Sequence, residues 1–258
     1  MKKLLIASGC SFTDKDFYSV LHPEMDCSWP KWPELLAEKL DMECINLGHN
    51  GAGNEYIYSS LLEQILKEKI VHEREIGLVI PAWSQVQRED YQLGKEGLWR
   101  ETRIQTLGDV FGWTRKSLRY FASLQLICKQ LNVPCVQFQM LSLFDGWLAG
   151  LSKTNAQVYE NRNNPNFVSR YRYPGKNVKI DNYKLIHLVL SWEKYIDTDK
   201  FLGWPALPNT HKKSYFMEYE VLRDGKKFLT ELLVSDKDLH PNEKGHQKIA
   251  EFLYGQLG

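Results

Sequence analysis

No stretch of this 258-residue chain approaches the roughly 20 consecutive apolar residues that a membrane-crossing helix needs, so no membrane partner is expected. Cysteine is sparse and unpatterned: Cys10, Cys27, Cys44, Cys128 and Cys135 are odd in number and none form a C-x-x-C pair. That argues against a disulfide framework or a structural zinc site. Neither sign of charge is in excess, with 33 Lys plus Arg against 32 Asp plus Glu, which removes any overall pull toward nucleic acid. Internal repeats and low-complexity tracts are also missing. Two lysines precede only a short apolar run that turns polar at Ser8, too little for the core of a secretory leader. A reducing cytoplasm is therefore the expected setting, and carriage in a virus particle is the alternative left open.

What is present is an alternation of short apolar runs with helix-period segments, the pattern of a parallel sheet covered by helices. Strands are expected over Lys3 to Ala7, Glu43 to Leu47, Ile76 to Pro81 and Cys135 to Met140. Helices are expected over Trp32 to Leu40, with Pro33 in the first turn, over Asn54 to Lys69, over Arg115 to Leu131 and over Glu243 to Leu257. The length suits one α/β domain spanning 1–258. Residues 142–213 differ in texture, with an Asn-rich run at 161–166 and Trp192, Trp204, Tyr171 and Tyr173 among turns. They are read as an insertion forming a lid or substrate wall, whose aromatic residues either stack on a sugar ring or bury area.

Two segments at opposite ends of the chain carry the chemistry. Gly9-Cys10-Ser11-Phe12-Thr13 follows the first strand, and Asp238-Leu239-His240-Pro241-Asn242 precedes the last helix. A strand ending in Gly and a small polar residue can present a Ser hydroxyl at the carboxyl edge of a parallel sheet, where such sheets bind ligands. A serine is a weak nucleophile until a base takes its proton, and a histidine oriented by a carboxylate is the usual means. Asn46-Leu47-Gly48-His49-Asn50-Gly51 follows the second strand, and Ala82-Trp83-Ser84-Gln85-Val86-Gln87-Arg88 follows the third.

In this order the four blocks resemble those of the SGNH or GDSL hydrolases, which supply Ser, Gly, Asn and His. The resemblance implies a flavodoxin-like three-layer α/β/α sandwich with a mostly parallel sheet of about five strands. It also implies Ser11 as nucleophile, with Cys10 where the family has Asp, and Gly51 as an oxyanion donor beside the Ser11 N–H. The family's third-block Asn is absent, and Ser84 is placed there with Gln85 as the alternate. The family carries Asp three positions before its His; here that position is Lys237, flanked by Asp236 and Asp238, and Asp238 is expected to orient His240.

The function these residues imply is serine ester hydrolysis through an acyl-enzyme without a cofactor or metal. The expected substrate is a small-molecule or carbohydrate ester, with a short acyl group such as O-acetyl on a polar or carbohydrate carrier. A catalytically weak binding or structural module of the same fold, and an O-acyltransferase, remain open beside it. Arg88, His49 and Asn54 are the substrate-binding candidates, Asn54 being equally suited to cap a helix. His22, His72, His187 and His211 have no spacing that would hold a metal. Oligomeric state has no signature in the sequence.

Overall fold

Strands buried on both faces read as unbroken apolar runs, and the two most continuous runs form the centre of the sheet. These are β1 (Leu4–Ser8), buried at every position, and β3 (Ile76–Trp83), buried at all but one. In the computed structural model the described residues are 2–94, 97–102, 108–141, 171–173, 176–178, 182–204, 217, 221–224 and 227–257. Beside β1 and β3 lie β2 (Glu43–Asn46), β6 (Gln137–Gln139) and β9 (Phe201–Leu202), in the all-parallel order β2-β1-β3-β6-β9. β4 (Glu89–Leu93) and β5 (Leu98–Thr102) form a separate hairpin, as do β7 (Tyr171–Tyr173) with β8 (Lys176–Val178), and β10 (Arg223–Asp224) with β11 (Lys227–Phe228).

The helices complete the sandwich expected from the sequence. α1 (Trp32–Lys39) packs with α5 (Glu243–Leu257), while α2 (Asn54–Leu66) packs with α3 (Val110–Gln130), against which α4 (Asn182–Leu190) also lies. α2 runs on into a π-helical turn at Lys67–Val71. α3 starts at Val110 rather than Arg115 because the Asp109 side chain accepts from the Gly112 N–H and caps the helix there. Its apolar face, which includes Val110, Trp113, Leu118, Phe121 and Leu124, recurs at helical spacing. No helix among the described residues is long and apolar enough to cross a membrane.

The segment expected to be an insertion divides. Its later part, 182–204, supplies α4 and the edge strand β9, so that stretch belongs to the central layers. Residues 142–170 lie outside the described residues, and with them the expected lid or substrate wall. Trp204 is buried against Phe201 at 5.2 Å between ring centroids, while Trp192 is half-buried and packs on the exposed Tyr195.

The order of strands reverses between β1 and β3, which are neighbours in the sheet with Ser8 opposite Pro81. The chain leaves both strands at this switch point on the carboxyl edge, where open α/β sheets bind ligands. Behind it the core holds a satisfied polar pair. The Trp83 indole N–H donates to Gln137 Oε1 at 2.7 Å, and Gln137 Nε2 donates to the Phe121 carbonyl at 2.9 Å. Gln137 is fully buried, so Gln137→Leu should strand the indole N–H, leave the Phe121 carbonyl only its place in the α3 ladder, and lower unfolding free energy by about 1–3 kcal/mol. Urea unfolding checks this; adding Trp83→Phe should recover part of the loss, and a Gln137→Leu variant as stable as wild type would refute it.

Candidate active site

Block by block, the carboxyl edge is assembled from short loops pinned to one another. After β1 the chain makes a single tight turn in which the Thr13 and Asp14 N–H groups donate to the Cys10 carbonyl, at 2.7 and 3.1 Å. Ser11 sits within that turn. The Asn46 side chain, at the end of β2, donates to the Thr13 carbonyl at 2.7 Å and accepts from the Gly48 N–H at 2.9 Å. Gly48 lies so close to the Thr13–Asp14 peptide that a Cβ there would approach within 2.5 Å of backbone, so only glycine fits. Gly51 has φ of +79°, a left-handed conformation that glycine adopts without strain. Among the described residues, no acceptor takes the backbone N–H of Ser11 or of Gly51.

From the far end of the chain, the turn before α5 brings His240 to this edge. Its Nε2 lies 2.8 Å from Ser11 Oγ, and its Nδ1 lies 2.6 Å from Asp238 Oδ1. Asp238 Oδ1 also accepts from the His240 backbone N–H at 3.2 Å, and Oδ2 accepts from Ser19 Oγ at 2.5 Å. Asp236 is exposed. The structure therefore brings Ser11, His240 and Asp238 into one chain of hydrogen bonds, although Asp238 stands nearer in sequence to the histidine than in the family pattern. Ser235 fixes the turn by accepting from the Asp238 N–H at 2.9 Å.

Electrostatics favour a neutral imidazole. Burial pushes the His240 pKa below its ordinary value of 6.5; Asp238 raises it in part and the Arg88 guanidinium lowers it further. For Asp238, burial alone would raise the carboxyl, but the hydrogen bonds from Ser19 and His240 outweigh it and hold the pKa below its usual 3.8. The neighbouring His246 is fully buried and held well below the usual imidazole range by that burial, with Lys31 and His240 adding to it. It serves as an acceptor, its Nδ1 taking the Trp32 backbone N–H at 3.2 Å, which ties α5 to α1 beside the site.

The third block differs from expectation. Ser84 is fully enclosed, its N–H donates to Asn54 Oδ1 at 2.8 Å, and its hydroxyl is sealed in without a partner. A group without exposed surface cannot reach an oxyanion formed in an open cleft, so Ser84 is not positioned as a donor. Asn54 is buried beside it. Both of its amide hydrogens are used, on the Ser84 carbonyl and Ser117 Oγ, so it braces the third block and does not face substrate. Nor does Asn54 cap α2, because Asp90 does so by accepting from the Gly53 and Tyr56 N–H groups at 2.8 and 2.9 Å.

Gln85, the alternate, is half-buried, and its Oε1 accepts from Arg88 Nε at 3.2 Å. That bond orients the amide and turns its NH2 away from the guanidinium. Arg88 also donates to the Ala52 carbonyl at 3.3 Å, beside the Gly51 loop. His49 is exposed, its ring 5.2 Å from that of Tyr56, and the Tyr56 ring in turn meets Trp99. Two contributors were not foreseen, Ser19 on the Asp238 carboxylate and Phe17, whose ring lies 4.5 Å from that of His240. Nothing local in the sequence marks either; the only hint is the apolar cluster Phe17-Tyr18-Ser19-Val20-Leu21 in an otherwise polar loop.

The sequence matches no family model and no curated protein. Solved structures do match over nearly their whole length. One is a protein ascribed to the G-D-S-L lipolytic family from Desulfitobacterium hafniense DCB-2, at TM-score 0.50 and 12% identity, covering 98% of this chain and 99% of that one. Others are the psychrotrophic esterase EstA from Pseudoalteromonas sp., at 0.47, 13% identity and coverage of 99% and 96%, and a variant of the acetyl xylan esterase Axe2 from Geobacillus stearothermophilus, at 0.43, 13% identity and coverage of 100% and 94%. At such identity the first likeness establishes the fold alone, the mostly parallel α/β sandwich that this chain shares with the G-D-S-L protein.

The site makes a titration test available that needs no substrate. The His240 ring should titrate below pH 6.5 by NMR, and Arg88→Gln, by removing a cation that disfavours the imidazolium, should move that midpoint upward. A downward move, or a midpoint above 6.5 in the unaltered protein, would contradict the arrangement.

Proposed function

We propose that this protein is a serine esterase of the SGNH type, working through an acyl-enzyme. The observation that carries the reading is the continuous hydrogen-bonded line from Ser11 Oγ through the His240 imidazole to the Asp238 carboxylate. In the proposed reaction Ser11 Oγ attacks the acyl carbon as its proton passes to His240 Nε2. The tetrahedral oxyanion is held by the N–H groups of Ser11 and Gly51. When the carbon–oxygen bond to the alcohol breaks, His240 returns the proton to the leaving alkoxide. Water, deprotonated by the same nitrogen, then releases the carboxylic acid and restores Ser11. Asp238 holds the neutral tautomer with Nδ1–H toward itself and stabilises the imidazolium that forms.

In the place of the third-block Asn, Gln85 is the better candidate for the further donor, with its NH2 turned from Arg88. Each such donor contributes about 3–4 kcal/mol to the transition state. Arg88 borders the same loop, its partners among the described residues being the neutral oxygens of Gln85 and Ala52, and is suited to grip a polar group of the acyl part. The acyl group is expected to be small, such as acetyl. The carbohydrate carrier expected from the sequence loses part of its support, because Trp192 and Trp204 are packed against other side chains. The alternative reading as a weakly active binding module rests on the missing third-block Asn and the displaced Asp, and the fluorophosphonate test below distinguishes it.

A fluorophosphonate should label Ser11 stoichiometrically, seen as added mass on that residue, and Ser11→Ala should abolish both label and turnover of p-nitrophenyl acetate. Asp238→Asn should lower turnover by about 10⁴-fold through the wrong tautomer, while Asp236→Asn stays near wild type. A folded protein that takes no label and turns over no ester would favour the binding module.

The third block yields its own test. Gln85→Ala should reduce turnover about tenfold to a thousandfold, whereas Ser84→Ala should leave kcat within a few-fold of wild type. The opposite ranking would return the donor role to Ser84.

A further inference from the structure

The connection from β1 to α1 makes a long excursion that passes directly over His240. The rings of Phe12 and Phe17 lie 5.0 and 4.5 Å from the imidazole. Beyond them opens a groove of about 350 Å³, walled for the most part by the apolar Phe12, Phe17, Tyr18, Val20, Leu21 and Leu239, with Asn50, Lys237, Asp238 and the His240 ring completing its lining. Tyr18, Val20 and Leu21 are 63%, 72% and 58% exposed, although each stands beside buried or half-buried neighbours. Apolar side chains gathered in water at one place, rather than scattered singly, mark a surface that binds something.

This exposed cluster is also held in a fixed position. Ser19, between Tyr18 and Val20, donates to the Asp238 carboxylate, and its oxygen accepts from the His22 N–H at 3.0 Å. The buried Lys31 ammonium, at the end of the excursion, donates to the Cys27 and Trp29 carbonyls at 2.5 and 2.9 Å. The entropy of ordering these side chains is thus largely spent in folding rather than on binding.

The chemistry says which part of an ester would lie there. A leaving-group oxygen must come within hydrogen-bond reach of His240 Nε2 to receive its proton. The group attached to that oxygen then extends along the His240 side of the site, where the groove begins. Asn50 of the Gly51 loop lines one edge of the groove, and beyond that loop stand the polar Gln85 and Arg88.

We propose that the groove over His240 is the leaving-group subsite and that it takes an apolar alcohol, alkyl or aryl, rather than a sugar. The inference rests on the esterase reading above. It makes the specificity of the enzyme lie in the alcohol, with Val20, Leu21, Tyr18 and Leu239 as the residues that set it.

Ethyl, butyl and hexyl acetates have alcohols of nearly equal acidity, so differences among them report binding rather than intrinsic reactivity. kcat/KM should rise about two- to fourfold per methylene until the groove is filled. In Leu21→Asp and Val20→Asp the hexyl-to-ethyl ratio should fall at least tenfold. A flat series in the wild type, an unchanged ratio in both variants, or a preference for an acetylated xylose over hexyl acetate would overturn the subsite. Failure of the esterase reading looks different, as no ester turns over and no phosphonate binds. In that case 1-naphthol, titrated into isotope-labelled wild-type protein, still tests the groove: saturable shifts of the Val20 and Leu21 methyl signals support it, and their absence overturns it.

Discussion

The Asp238 carboxylate is the point at which three distant parts of the chain are fixed relative to one another. One oxygen takes the imidazole and the backbone N–H of His240, and the other takes the hydroxyl of Ser19, 219 residues away in sequence. Through His240 the same carboxylate reaches Ser11 at the end of β1. A buried carboxylate with unfilled lone pairs would cost several kcal/mol, so its partners are held as firmly as it is. The position of the loop over the imidazole and the tautomer of the imidazole follow from one set of hydrogen bonds.

A second polar brace works on the other side of the edge. Asn54, on the first turn of α2, closes both the N–H and the carbonyl of Ser84, and Gln139 Nε2 adds a further donor to that carbonyl at 3.0 Å. The end of β3 is thereby locked to α2 and β6 without any side chain turned toward the cleft. The rigidity comes with a topological effect. With Ser84 turned inward, Gln85 and Arg88 follow half-buried and pair with each other at the rim.

How much of this was legible in the sequence depended on how local the cause was. β1, β2, β3, α1 and α5 have boundaries within a residue or two of those read from apolar runs and periodicity, because burial on both faces or along one stripe leaves a repeating mark. β9 has two residues and the β4–β5 hairpin has its turn spread over several, so neither leaves a period to read. At the site, the proximity of Ser11, His240 and Asp238 was expected from the order of blocks. That Ser84 is buried and Gln85 half-buried was not legible, because composition cannot tell which of two adjacent polar residues points inward. Ser19 was invisible for the opposite reason, since the partner that gives it meaning lies at the far end of the chain.

The span between the two halves of the site has a consequence for the chain as it is made. Ser11 and its histidine are separated by 229 residues, and the turn that carries the histidine is held by the helix that follows it. On the esterase reading, Ser11 in a nascent chain stays unactivated at least until the 229 residues up to His240 have been made. On that same reading, reactivity toward esters would begin only once α5 has left the ribosome and docked on α1, and a protease that clipped that helix away would return the serine to its inert state.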